Sequence, residues 1–154
     1  MYTTTNADVF DIRDAMQWVL DHHDEFNITA VNLSLGLGNV PKGQAEAILE
    51  PLYVQLHNEG IFVSVAAGNL YGPDAIVGVN ALAASNYVTA VGAVWSADIG
   101  YSQFSTGAID YTTGPDRIAS FTQRDAGLDI LAPGGPTVGL RSPDGLVVRS
   151  GTSM

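Results

Sequence analysis

Four short runs constrain this chain most: Thr29 to Leu35, Ile61 to Ala66, Val88 to Val94 and Leu128 to Ala132. Each is short and apolar, the pattern of a strand buried in a parallel sheet. Helical segments fall between and before them. From Asp8 to His23, Val9, Ile12, Met16, Val19 and Leu20 recur at helical spacing. Asp8 and Asp11 suit the positive end of that helix, and Asp21, His22, His23 and Asp24 form a polar exit. A second helix is predicted over Gln44 to Asn58, with Pro51 kinking or splitting it and Gly60 stopping it. This order implies parallel α/β crossovers. Gly36-Leu37-Gly38 closes the first strand, and Pro133-Gly134-Gly135-Pro136 the fourth. Leu146 to Arg149 reads as a last extended run. The polar stretch from Ser96 to Arg117 is a long connection, either a surface hairpin or a functional loop. No repeat, linker or second domain is visible in the 154 residues.

Composition narrows the function. With 46% hydrophobic and 14% charged residues the chain reads as globular. A net charge of −10, one lysine (Lys42) and five scattered arginines argue against nucleic acid and anionic membranes as partners. The absence of cysteine excludes disulfides, thiolate metal sites and a thiol nucleophile. Met1 to Thr5 shows no signal-peptide pattern, and no apolar run spans a bilayer.

Three segments offer chemistry. Gly151-Thr152-Ser153-Met154 reads as a strand-to-helix turn presenting a hydroxyl. Alone, such a turn is usually only a cap at a helix start. Where a helix follows, its N-terminal field favours an oxyanion, and the Ser153 N–H is one donor to it. Asn69 ends the strand that runs through Ala66-Ala67-Gly68. An Asn after Gly is most often a turn residue. The functional alternative makes its amide a second oxyanion donor, at the strand end where open α/β sheets bind ligands. Ser34-Leu35-Gly36 either simply stops a strand or exposes an edge on which a peptide adds as a strand.

Together with Leu128-Asp129-Ile130-Leu131-Ala132-Pro133-Gly134, these segments resemble the subtilisin-like serine proteases, the subtilase family. Ile118 to Thr122 and Tyr87 to Ala93 carry the same resemblance, which covers nearly all the chain outside Asp98 to Asp116. It implies a three-layer α/β fold with a mostly parallel sheet, incomplete at both ends. It implies that Ser153 is the nucleophile and Asn69 the oxyanion asparagine. Ser34, Leu35 and Gly36 then form the substrate-pairing strand and one wall of the first specificity pocket. Ala66, Ala67 and Gly68 form the other wall. The sedolisin group shares the fold but places Asp at the oxyanion position, so Asn69 favours the subtilases. A dinucleotide site at Gly36-Leu37-Gly38 is weak, since the third glycine is missing.

The resemblance also implies an acid and a base, whose Asp-Ser/Thr-Gly and His-Gly-Thr-His patterns do not occur here. His22, His23 and His57 read as solvated surface residues. Residues 1–154 are therefore expected to be the C-terminal portion of a single catalytic domain, cut before the Asp and His motifs and just after the nucleophile. Without a base the serine is a poor nucleophile, so these residues alone are expected to be inactive. The missing elements should leave apolar surface and a sheet edge uncovered. The parent protein reads as an endopeptidase acting on protein or peptide, with a non-catalytic peptide-binding module as the alternative. The family resemblance implies a secreted protein and a possible structural calcium, with no cofactor needed for chemistry. Asp98, Asp110 and Asp116 match no calcium-loop spacing and read as surface carboxylates. The sequons at Asn27 and Asn32 read as chance matches.

Overall fold

A computed structural model describes residues 8–73, 76–141 and 145–154. Helix α1 spans Val9–Phe26, with a capping box between Asp8 and Asp11 at its start. It runs three residues past the expected end at His23. Trp18, His22 and Phe26 stack along one face at four-residue spacing, and Asn27 takes the left-handed conformation that ends the helix. Strand β1 (Ala30–Leu33) and the short β2 (Asn39–Val40) follow. Helix α2 spans only Glu50–Asn58. Pro51 neither kinks nor splits it. It sits in the first turn, where its missing N–H would have had no partner anyway. Residues 47–49 turn into it through the Leu49 N–H to Glu46 O bond.

Next come β3 (Phe62–Ala66), β4 (Val79–Asn80), a 3-10 turn at Ala81–Ala83 and β5 (Thr89–Trp95). The 96–117 connection folds as a surface hairpin of β6 (Ser102–Gln103) and β7 (Ile109–Asp110). Strand β8 spans Ile130–Gly135 and continues through Pro133 rather than stopping there. It lies at a sheet edge, where a strand tolerates proline. The last extended run belongs to a hairpin of β9 (Thr137–Arg141) and β10 (Gly145–Arg149).

The main sheet has the order β1-β3-β5-β8, parallel throughout. Ile12 and Met16 of α1 and Leu52, Tyr53 and Leu56 of α2 pack with Val63, Val65 and Ala90 in one core. On the opposite face Ala93, Trp95, Ala108, Ala119 and Phe121 form a smaller cluster. Burial and the nearby Glu50 push the Tyr53 phenol up from its ordinary pKa, so it stays neutral in the core. Central strands β3 and β5 carry the buried positions expected of them. Strands β1 and β8 are the outer strands of the described sheet and are only partly buried, unlike the sequence expectation. Their apolar composition does not distinguish an edge from the middle of a sheet.

Lys42 joins the periphery to this sheet. Its ammonium donates to Asp129 at 2.7 Å, Ala83 O at 3.1 Å and Val88 O at 3.3 Å. The side chain is 9% exposed. Gly127 makes room for it, since a Cβ there would meet Lys42 Cγ at 2.5 Å. Asp129 also accepts the Ala90 N–H at 2.8 Å, so one cation–carboxylate pair fastens β5 to the segment entering β8. Lys42→Met keeps the stem but leaves three oxygens without their donor. It should lower the unfolding free energy of the complete protein by about 2 kcal/mol, read as a lower melting temperature. An unchanged melting temperature would show that water replaces the ammonium at no cost.

Candidate active site

The parallel sheet places the C-terminal ends of its strands on one side, and the Gly151–Met154 turn closes over them. Gly151 N–H donates to Gly134 O at 2.8 Å, which anchors the turn to β8. Thr152 then reaches the segment after β3. Its N–H and hydroxyl donate to Asn69 Oδ1 at 2.8 and 3.0 Å, and its hydroxyl accepts Gly68 N–H at 3.1 Å. A backbone N–H can only donate, so the atom facing it is the Asn69 oxygen. Asn69 Nδ2 therefore points away with its donors uncommitted among the described residues. The amide packs on Gly151, where a Cβ would lie 3.3 Å from Nδ2.

Ser153 lies next to this joint and against the chain after β1. The Ser34 hydroxyl donates to Ser153 O at 3.0 Å, and the Ser153 hydroxyl reaches Ser34 O at 3.5 Å. Behind Ser34, Asn32 Nδ2 donates to its hydroxyl and Asn32 Oδ1 accepts from Ser64, both at 3.0 Å. A cavity of about 290 Å³ opens beside Ser153, lined by Leu35, Gly36, Ala66, Gly68, Asn69 and Asn80 among others. Of the expected wall residues, Leu35, Gly36, Ala66 and Gly68 border it. Ala67 is fully buried, with its backbone held by Val91 O and Asn80 N–H. Gly68 must be glycine: its φ is +107° and a Cβ would meet Gln123 Cγ at 2.9 Å. A larger hollow of about 670 Å³ by β8 is lined by Arg124, Asp125, Asp129 and apolar residues, with no hydroxyl side chain in the lining.

Two polar residues of this site are assigned no role by any motif in the sequence. Thr152 read as part of a turn, yet it orients Asn69. Asn80 is the lone polar residue between Val77 and Ala84, and it is 1% exposed at the cavity. That isolation was the available signal.

No histidine approaches Ser153. His22 lies between Trp18 and Phe26 and bonds Trp18 O, His23 lies beside Asp24, and His57 packs on Tyr87. Among the described residues no three His, Cys, Asp or Glu side chains gather as a metal ligand set. Asp98 accepts from Gly100 N–H and Thr113, and Asp110 from Ser120 N–H, so these carboxylates hold local turns.

Gly151→Ala tests the packing of the amide. It should shift the Asn69 side-chain signal in a 15N–1H spectrum and cost about 1–2 kcal/mol of stability. An unmoved signal would mean that the Asn69 amide is held elsewhere.

Comparison with known proteins supports the architecture. The chain is similar to the prenylagaramide maturation protease PagA, at 21% identity and a TM-score of 0.68, over 99% of this chain and 46% of that one. The self-cleaved protease domain of PatA matches at 23% identity and a TM-score of 0.66, over 93% and 45%. The PatG macrocyclase in complex with peptide matches at 17% identity and 0.64, over 94% and 37%. At these identities the likeness establishes the fold, and the chain spans less than half the length of each. No curated protein matches it. The model of the Subtilase family, Peptidase S8, matches residues 1–154, and the chain belongs to that family.

Proposed function

We propose that this chain carries the nucleophile and oxyanion half of a serine endopeptidase whose acid and base lie outside these residues. The Thr152–Asn69 joint carries this reading. It commits Asn69 Oδ1 and leaves Nδ2 free beside Ser153. Ser153 Oγ attacks the scissile carbonyl and gives its proton to a histidine. The developing oxyanion receives hydrogen bonds from Asn69 Nδ2 and the Ser153 N–H. Collapse of the tetrahedral intermediate expels the amine, which takes the proton from the histidine. Water then attacks the acyl-enzyme and releases the acid.

Substrate binding follows from the same geometry. The chain at Ser34, Leu35 and Gly36 lies past the end of β1, outside the sheet ladder, and its backbone can pair with a peptide. The residue before the scissile bond places its side chain in the cavity between Leu35–Gly36 and Ala66–Gly68. Ala67 supports that second wall from behind. The substrate is thus a protein or peptide, a reading supported by the similar PatG macrocyclase, whose structure is in complex with peptide. An extracellular setting for the complete protein belongs to the same reading and rests on the family resemblance.

A fluorophosphonate probe should label Ser153 in the complete protein, and Ser153→Ala should abolish both labelling and peptide cleavage. Residues 1–154 alone should cleave nothing above background. A complete protein that binds peptide but is neither labelled nor active would be a peptide-binding module instead.

A further inference from the structure

We infer that Asn80 is the positioning residue that sets the width and polarity of the cavity beside Ser153. It thereby sets the preference for the side chain before the scissile bond. The inference rests on the reading proposed above.

Asn80 connects the two walls of that cavity. Its Nδ2 donates to Leu35 O at 2.7 Å and to Ala66 O at 2.9 Å. Its Oδ1 accepts Leu37 N–H at 2.8 Å and Leu82 N–H at 3.2 Å. An Asn side chain donates two hydrogen bonds and accepts two, so its capacity is filled. The backbone adds a fifth tie, from Asn80 N–H to Ala67 O at 2.7 Å. Strand β1 ends at Leu33, so the sheet ladder does not hold Leu35 or Leu37. Asn80 holds them instead, at a fixed distance from the end of β3. One buried amide thus ties the pairing segment to the opposite wall, beside the backbone bond from Ala81 N–H to Leu37 O at 3.0 Å.

Exhausted capacity has a chemical consequence. Asn80 borders the cavity without offering it a free donor or acceptor. The other lining side chains include Leu35, Leu37 and Leu70, and none is ionisable. A charged substrate side chain entering here would lose water and meet no opposite charge. A large apolar one would displace water from apolar walls. Asn80 also excludes a polar floor, because any residue there must first satisfy Leu35 O, Ala66 O and Leu37 N–H.

The test uses the complete protein and peptides that differ only in the residue before the scissile bond. Asn80→Asp keeps the shape but turns an acceptor oxygen toward Leu35 O and Ala66 O. Asn80→Ala removes the tie altogether. For peptides with Leu or Phe at that position, kcat/KM should fall about 100-fold in either variant, mostly through KM. Gly peptides, which use the same pairing segment but leave the cavity empty, should fall only about tenfold, and the rate of Ser153 labelling by a small phosphonofluoridate should fall less still. Melting temperatures verify that the variants fold. An equal fall for every substrate and for labelling would make Asn80 merely structural and overturn the inference, as would unchanged selectivity. If neither variant folds, the wild-type profile decides: a preference for Leu over Glu or Lys below about tenfold overturns it. A wild type that is neither labelled nor active would defeat the proposed protease reading instead. The Leu, Glu and Gly comparison is then made on peptide dissociation constants.

Discussion

The site depends on a single joint between residues 83 positions apart: Thr152 donating twice to the Asn69 side-chain oxygen. Each such bond is worth only about 1 kcal/mol to stability. Its larger effect is directional. It fixes which end of the Asn69 amide faces the turn and which faces the space beside Ser153. The joint exists because the parallel sheet brings the ends of β3 and β8 to one side, where open α/β sheets bind ligands. Gly134 and Gly151 permit the close approach, since a Cβ on Gly134 would lie 2.7 Å from Gly151 O.

Two buried polar side chains carry the load around that joint. Lys42 gathers the Ala83, Val88 and Asp129 oxygens and so fixes β5 against the approach to β8. Asn80 gathers Leu35, Leu37 and Ala66 and so fixes the chain after β1 against the end of β3. Both satisfy backbone groups that the ladders leave unpaired, which a buried loop requires. The pattern explains how a cavity can be walled by loops and strand ends and still hold its shape.

Much of this was readable from residue order. The strand–helix alternation, the α1 periodicity and the acidic start at Asp8 and Asp11 are local signals, and all appear in the fold. Family motifs drew attention to Asn69 and Ser153, which the fold brings together. What escaped notice depends on tertiary placement. Apolar runs at β1 and β8 look like central strands, and only the sheet order makes them edges. Pro51 reads as a kink until the helix is seen to begin at Glu50. The β9–β10 hairpin hid because its directly opposed pairs, Val138 with Val148 and Leu140 with Leu146, lie exposed rather than in the core. Lys42 and its partners, and Asn80 with Leu35 and Leu37, lie more than 40 residues apart, beyond any local pattern.

The central claim is that Asn69 Nδ2 stabilises charge that exists only in the transition state. Steady-state kinetics of Asn69→Ala in the complete protein addresses it most directly. Loss of the corresponding donor in subtilisin costs about 10²–10³-fold in kcat. A fall of that size, with KM within about threefold, is the expected result here. A kcat that stays within threefold of wild type, or a loss confined to KM, would contradict the account and reduce Asn69 to a turn residue beside the serine.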